Sequence, residues 1–403
     1  MVSVSAPAPT TAGRLSHAAS FAAVAAIFVL FAAAASAPSP LYVVYQAQWG
    51  FSSTTLTGIF AVYVVGLIGA LLSLGALSDH IGRRPVLAAS IGLEAVALLL
   101  FVFAGDVSTL FVARFLQGIA TGAAMTTLGA ALVDLNPPHA PGRAGVVNGI
   151  VPVGGLALGA LGTGALVQYA PAPTHLIWAL LLGGMALSLL IVLALPETST
   201  RKPGGLASLT PKLGVPQRLR AEVVALVPIL VASWALGGLY LSLGPSVAAG
   251  VFGLTNHLIG GLVVTLLCGT GAVTAYVLRR RPVAWVLGFG AALLTVGSAL
   301  TLVGVLADSV VLGIVGTVVS GVGFGASALA SFATLARIAS PAERGELFAV
   351  AYTIAYVAFS LPAVAAGLAA TAFGLHSTTV IYSAAVIALG LAAILGTRRL
   401  AAR

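Results

Sequence analysis

Charge is what this chain has least of. Only 7% of its 403 residues are Asp, Glu, Lys or Arg, while 60% are hydrophobic; soluble domains carry roughly 25% charged residues. The mean hydropathy is +1.12. A soluble core of this length could not bury so much apolar surface, so lipid must be the solvent for most of it. Cysteine is nearly missing: Cys268 stands alone inside an apolar run and excludes an internal disulfide. The six histidines are scattered, which leaves no clustered ligand set for a metal. No Gly-x-x-x-x-Gly-Lys loop is present to cradle ATP. One acid alone, Glu94, lies well inside an apolar run, where an aspartyl-type intramembrane enzyme needs two, and no Ser/His pair sits in a recognisable catalytic context. No enzyme is expected. The net charge of +9 comes from basic residues spread through short segments, with no basic patch, so nucleic acid is not an expected partner. Arginine outnumbers lysine 16 to 2 and alanine is abundant, which suggests a GC-rich bacterial genome.

What is there is a series of apolar runs. Six fall near 15–37, 54–77, 85–104, 109–133, 144–168 and 176–195, and six more near 223–246, 258–278, 283–306, 310–336, 347–370 and 378–396. Each is close to or above the ~20 residues that cross a bilayer as a helix. Between the two sets, residues 196–222 hold Pro196, Pro203, Pro211, Pro216 and five basic residues, and read as a linker. Residues 1–14 and 397–403 read as tails. The expected fold is all-α and integral to a membrane, with twelve transmembrane helices in two six-helix bundles (15–195 and 223–396). With both termini inside, 17 of the 18 basic residues fall in cytoplasmic segments and none in an outer loop. The positive-inside rule then predicts a multi-pass protein of the cytoplasmic membrane. A rival reading makes the first run a signal peptide, with Arg14 before it and Ala35-Ser36-Ala37 as the cleavage site. The run is long for that, and the repeat described next needs it as a helix.

The two halves repeat. Gly50 and Gly253, Gly58 and Gly261, Gly118 and Gly321, and Gly122 and Gly325 are each 203 positions apart. Asp106 and Asp308 are 202 apart. Duplicated six-helix halves around a shared midplane site are a recurring plan for transporters. The repeat is imperfect between spans 8 and 9, where Leu278-Arg279-Arg280-Arg281-Pro282 keeps basic residues and proline but has no acid.

The corresponding segment of the first half reads Gly-Ala-Leu-Ser-Asp79-His80-Ile-Gly82-Arg83-Arg84-Pro85. Gly82 suits a tight turn, Pro85 can open the next helix, and the arginines hold the elbow on the cytoplasmic side. This stretch resembles the signature loop between helices 2 and 3 of the major facilitator superfamily. Arg114-Phe-Leu-Gln117-Gly118-Ile-Ala-Thr-Gly122 resembles the family's helix 4 motif. Pro152-Val-Gly154-Gly155 in span 5 only partly matches the antiporter signature, and Pro196-Glu197-Thr198 resembles a motif of sugar porters that is widespread in the superfamily. The resemblance implies that Asp79 contacts the start of helix 11, that Arg83 pairs with Asp134 at the end of helix 4, and that these residues with Arg84 form a gate that ties the halves together in one state. The eroded second elbow makes such a lock one-sided.

Arg114 lies about five residues inside span 4, where an arginine costs about 2.5–3.5 kcal/mol on insertion scales. It is expected to face a cavity, with snorkelling to the outer surface as the alternative. Glu94 falls nine residues past Pro85, ~13 Å along a helix, and within reach of Arg114 or Gln117 on the neighbouring span. Glu94 and Arg114 are therefore candidates for proton coupling, with a hydrogen-bonded structural glutamate as the other reading. Ser36, Gln117, Thr121, Trp234, Tyr240, Ser320, Phe324, Tyr352 and Tyr356 are candidate cavity walls on spans 1, 4, 7, 10 and 11. The expectation is proton-coupled efflux of a small, partly aromatic or apolar organic molecule by a monomer, with no cofactor. Proton-coupled uptake of a sugar or metabolite, and a membrane-embedded receptor of the same fold, are the alternatives.

Overall fold

The computed structural model describes residues 15–211, 213–340 and 343–401. The expected N-terminal tail with Arg14, residue Lys212 and the last two residues lie outside this range. Fifteen α-helices follow in order: α1 (His17–Ser36), α2 (Pro38–Trp49), α3 (Ser53–Leu74), α4 (Leu77–Ile81), α5 (Arg83–Val102), α6 (Val107–Asp134), α7 (Arg143–Tyr169), α8 (Leu176–Ala194), α9 (Arg220–Ser242), α10 (Gly244–Gly250), α11 (His257–Leu278), α12 (Val283–Leu306), α13 (Val310–Ile338), α14 (Arg344–Phe373) and α15 (Leu375–Ala401). Taken with their bends, they supply twelve segments long and apolar enough to cross a membrane, and no strand occurs among the described residues.

The first segment is longer than its apolar run. α1 bends at Ala37 and continues as α2 to Gly50. Pro38 and Pro40 cause the break, because each removes a backbone N–H from the ladder. The seventh segment bends likewise between α9 and α10, just before Pro245. Helix starts follow their side-chain caps: Ser52, Asp106, Asn256 and Ser309 each accept a hydrogen bond from a first-turn N–H. Gly50, which caps the end of α2, and Gly253, in the turn after α10, take φ of 66° and 67°, a left-handed conformation that glycine adopts at little cost.

The repeated glycines serve close packing. A Cβ on Gly118 would overlap the Tyr63 carbonyl oxygen, and one on Gly122 the Leu67 carbonyl, so α6 lies against the backbone of α3. Gly321 and Gly325 bring α13 against α11 in the same way, at the Leu267 and Gly271 carbonyls. Small residues at such crossings give dispersion contact that larger ones would block.

The halves meet through α3 against α14 and α7 against α11. At the end away from the linker this seam is tight. Thr54 and Thr371 hydroxyls are 2.9 Å apart, Gln168 Oε1 accepts from His257 N at 2.9 Å, and Ser39 Oγ donates to the Leu241 carbonyl at 2.5 Å. At the basic end, where Arg83, Arg84 and the linker lie, a cavity of 770 Å³ separates the end of α3 from the start of α14. The molecule is therefore closed at one end and open at the other.

Candidate functional site

Three groups of side chains stand out, from the buried middle to the basic end. The deepest is a polar chain in the first half. Glu94 on α5 and Gln117 on α6 are 0% exposed, and Arg114 on α6 is 1% exposed. Gln117 Nε2 donates to Glu94 Oε1 at 2.9 Å, and Arg114 Nη1 donates to Gln117 Oε1 at 2.5 Å. The glutamine thus bridges acid and base, which make no direct ion pair. The bend in the first segment completes the site. Pro38 has no N–H for the Ala34 carbonyl, and Gln117 Nε2 donates to that oxygen at 3.1 Å. Arg114 Nη1 also donates to the Ala35 carbonyl at 3.1 Å, and its guanidinium lies 4.1 Å from the centre of the Tyr63 ring. Helix-end carbonyls and an aromatic face are favourable neighbours for a cation. Glu94 Oε2, Arg114 Nε and the Tyr42 hydroxyl have no hydrogen-bond partner. A proton on Glu94 Oε2 would break no existing bond.

Arg114 does not snorkel. Its short reach to Ala35 and Gln117 turns it inward. Of the two contacts expected for Glu94, the structure makes the one to Gln117.

The second group is aromatic and crosses the seam. Phe60 of α3 meets Phe359 of α14 with ring centres 5.0 Å apart. Trp234 of α9 packs edge-on against Tyr356 at 5.1 Å and Phe359 at 5.9 Å. Phe332 and Tyr352 lie 4.8 Å apart, and Tyr352 lines the open cavity. The Tyr356 hydroxyl reaches Met125 Sδ of the other half at 3.8 Å. Trp234 Nε1 is buried without a partner.

Other expected wall residues point elsewhere. Ser36 donates to the Leu156 carbonyl at 2.8 Å and joins the first segment to α7. Tyr240 bonds the Thr317 hydroxyl at 2.9 Å, inside the second half. Ser320 faces Gly297 of α12, and Phe324 wedges between Gly237 and Gly271. Each spacing fixed a helix but not which face of it met the seam. Thr121 is buried one turn beyond Gln117.

The third group is the elbow. Arg83 Nη1 pairs with Asp79 Oδ1 at 2.5 Å, and Arg83 Nε with Asp134 Oδ2 at 3.1 Å. Gly82, with φ of 114°, turns the chain into α5. Arg84 lies apart from the acids: its guanidinium donates to the Val192 and Leu193 carbonyls at the end of α8. Asp79 and Glu346 line opposite sides of the open cavity, so the contact between Asp79 and the start of helix 11 is not made in this state. The sequence reading missed how far the Pro196-Glu197-Thr198 segment takes part. Glu197 accepts from the backbone N–H groups of Arg83 at 2.8 Å and Arg84 at 3.2 Å, capping α5, and the Thr198 hydroxyl donates to Asp134 at 2.9 Å. Phe60, Tyr63, Phe332 and Phe359 were also missed. Phe60 and Tyr63 sit on a span not considered as cavity wall, although their spacing of three places them on one face.

The linker is bound to both halves. Lys202 N donates to the Asp79 carbonyl at 2.9 Å, and Arg218 pairs with Glu343. Hydrogen bonds from Ser340, and then the Arg218 charge, hold the Glu343 carboxyl below its ordinary value.

Comparison with known proteins adds relatives to this geometry. The family model of the Major Facilitator Superfamily matches residues 23–304. The puromycin resistance protein Pur8 of Streptomyces alboniger is 36% identical over 126 residues, which cover 31% of this chain and 25% of the relative. The multidrug resistance protein MdtL of Escherichia coli is 31% identical over 160 residues, 39% of this chain and 40% of the relative. The chain thus matches a quarter to two fifths of the length of these curated relatives. A bacterial homologue of the human lysosomal transporter Spinster, crystallised inward-facing and unoccupied, is similar with a TM-score of 0.76 at 14% identity, covering 95% of this chain and 97% of that one. The nucleoside transporter NupG gives 0.72 at 12%, covering 94% and 100%. At such identities the likeness is one of fold.

Proposed function

The chain belongs to the major facilitator superfamily of transporters, and from that premise we propose that it expels small, partly aromatic organic molecules from a bacterial cell in exchange for protons. The observation that carries this reading is the buried Glu94–Gln117–Arg114 chain, which holds one titratable acid at membrane depth with an oxygen left free. An ionisable residue there is costly and marks a functional path by default. The aromatic group crossing the seam offers flat apolar faces and one free indole N–H, which suits cargo with rings and few charges. The partial relatives that confer puromycin and multidrug resistance favour export over uptake.

In this reading the basic end faces the cytoplasm, both termini lie there, the membrane is the cytoplasmic one, and a single chain carries out transport. The state described is then inward-facing. Cargo enters past Tyr352, and protonation of Glu94 accompanies its release on the far side. To open outward, the far seam at Thr54 and Thr371 parts and the basic-end cavity closes, bringing Asp79 to the start of α14. Arg83, already pairing Asp79 with Asp134, keeps that acid positioned.

The test is transport of puromycin and ethidium in everted vesicles from cells making the protein. Acidifying the vesicle interior should drive accumulation there, and a collapsed gradient should abolish it. Accumulation in right-side-out vesicles under an inward proton gradient would overturn export in favour of uptake. Binding without flux in either would point to a receptor.

A further inference from the structure

The second half contains a cavity of 240 Å³ that the central site does not use. It lies in the part of the bundle away from the linker, among α9, α10, α11 and α13, with α12 and α15 behind. The repeat explains why it is there. Tyr63, Leu110 and Arg114 of the first half correspond, 203 positions on, to Leu266, Gly313 and Thr317. The first half fills this space with a tyrosine, a leucine and an arginine, all buried. The second half has smaller side chains at all three positions, and all three line the cavity.

The walls carry no charge. The hydroxyls of Thr301, Thr317 and Thr379 donate to carbonyls of their own helices, Gly297, Gly313 and Leu375, and so turn their methyl groups outward. Ser298 has an unpartnered hydroxyl, and Ser383 adds a second small hydroxyl to a wall that is otherwise mostly hydrocarbon. Towards the centre of the molecule the bond between Tyr240 and Thr317 closes the space. On the other side the lining includes Ile314, 48% exposed, next to Val311, 69% exposed, on a membrane-spanning helix. The mouth therefore opens to lipid, between α11 and α13.

We propose that this cavity holds an acyl chain of a membrane lipid from the leaflet away from the linker. At ~30 Å³ for a water-sized group, the space takes about eight methylenes. Left empty, its lining would lose dispersion contacts on one side. A flexible chain from the surrounding bilayer restores them without bringing a charge inside. A polar cargo finds few partners on these walls and, past the Tyr240–Thr317 bond, no way through to the aromatic group, so the site is separate from the transport path. The chain supports the bent α9–α10 segment from behind, where the seam with the first half is closed.

The test uses the whole protein in vesicles of phosphatidylethanolamine and phosphatidylglycerol containing a trace of phospholipid with a diazirine on its acyl chain. After illumination, labelled residues are mapped by mass spectrometry. Label is expected on the cavity walls, at buried Thr317 or half-buried Val263, as well as on lipid-facing residues such as Leu187 and Leu190. Ile314→Trp, at an exposed position over the mouth, should abolish the wall label and leave that at Leu187 and Leu190 unchanged. Val310→Phe serves the same purpose should the first variant fail to insert. Walls without label beside a labelled exterior would overturn the proposal, as would wall label undiminished in both plugged variants. Wall label from a free diazirine alkane, with none from the phospholipid, would also overturn it, because the occupant would then be a small apolar solute.

Discussion

Replacing Glu94 with glutamine removes the one titratable acid from the buried polar chain and almost nothing else. The new side chain has the same length, and its carbonyl oxygen can still accept from Gln117, now 2.9 Å from Glu94 Oε1. The unpartnered Oε2 becomes an NH₂ group in a place where no donor reached the oxygen, and a donor there has no partner already in position. An unmade hydrogen bond at a buried neutral amide costs about 1–3 kcal/mol. The original oxygen is also unpaired, so the change in stability should fall at the low end of that range. The change in function should be large. One pH unit across the membrane supplies about 1.4 kcal/mol per proton moved, so a one-for-one exchanger can hold roughly a tenfold cargo gradient per pH unit. Glu94→Gln should hold none, while still equilibrating cargo down its own gradient. Proteoliposomes loaded with the cargo identified in vesicles, with a pH step imposed and cargo efflux followed by fluorescence, measure both quantities. A pH-driven gradient of wild-type size in the variant would refute the coupling role of this residue.

Three further outcomes follow from the packing. Gly118→Leu puts a side chain where the Tyr63 carbonyl sits, and the variant should yield no monodisperse peak in size-exclusion chromatography, whereas Gly92→Leu, at a position with open space, should. Glu197→Ala leaves two α5 N–H groups uncapped and should lower stability by about 0.5–2 kcal/mol, read as a drop in thermal midpoint, with Glu197→Gln recovering part of it. Thr54→Cys with Thr371→Cys joins two hydroxyl positions 2.9 Å apart. Oxidation of that pair should stop transport until a reductant is added. The native Cys268 is buried and free, so it gives a silent background.

The twelve spans were legible because each must be satisfied by apolar length alone, and the glycine pairs announced the repeat because only small residues permit the crossings they form. The elbow was legible for a similar reason: Arg83 and Asp134 meet, as the loop resemblance implied. What stayed hidden was rotation. Ser36 and Tyr240 lie on the expected helices but bond α7 and α13, since hydropathy in a membrane does not distinguish a lipid face from a seam or an internal cavity. The bends were only partly visible. Pro38 and Pro245 mark them, yet the continuation of the first segment through Trp49 carries polar residues such as Gln46 and Gln48 that ended the apolar run early. Glu197 follows α8 in the sequence, yet the helix it caps is α5, more than a hundred residues earlier, which no local pattern reveals.

The uncharged oxygens around Arg114 have a consequence for proton stoichiometry. The oxygens that steady the Arg114 guanidinium belong to one peptide group, Ala35, and one side-chain amide, Gln117, neither of which changes ionisation across the physiological range. The cation is therefore neutralised by dipoles that are blind to pH, and the carboxyl at position 94 is left as the sole acid of the chain able to respond. On the coupling proposed above, titration of the pore interior should follow a single-site curve with a Hill slope of about one, and each turnover should return one proton equivalent.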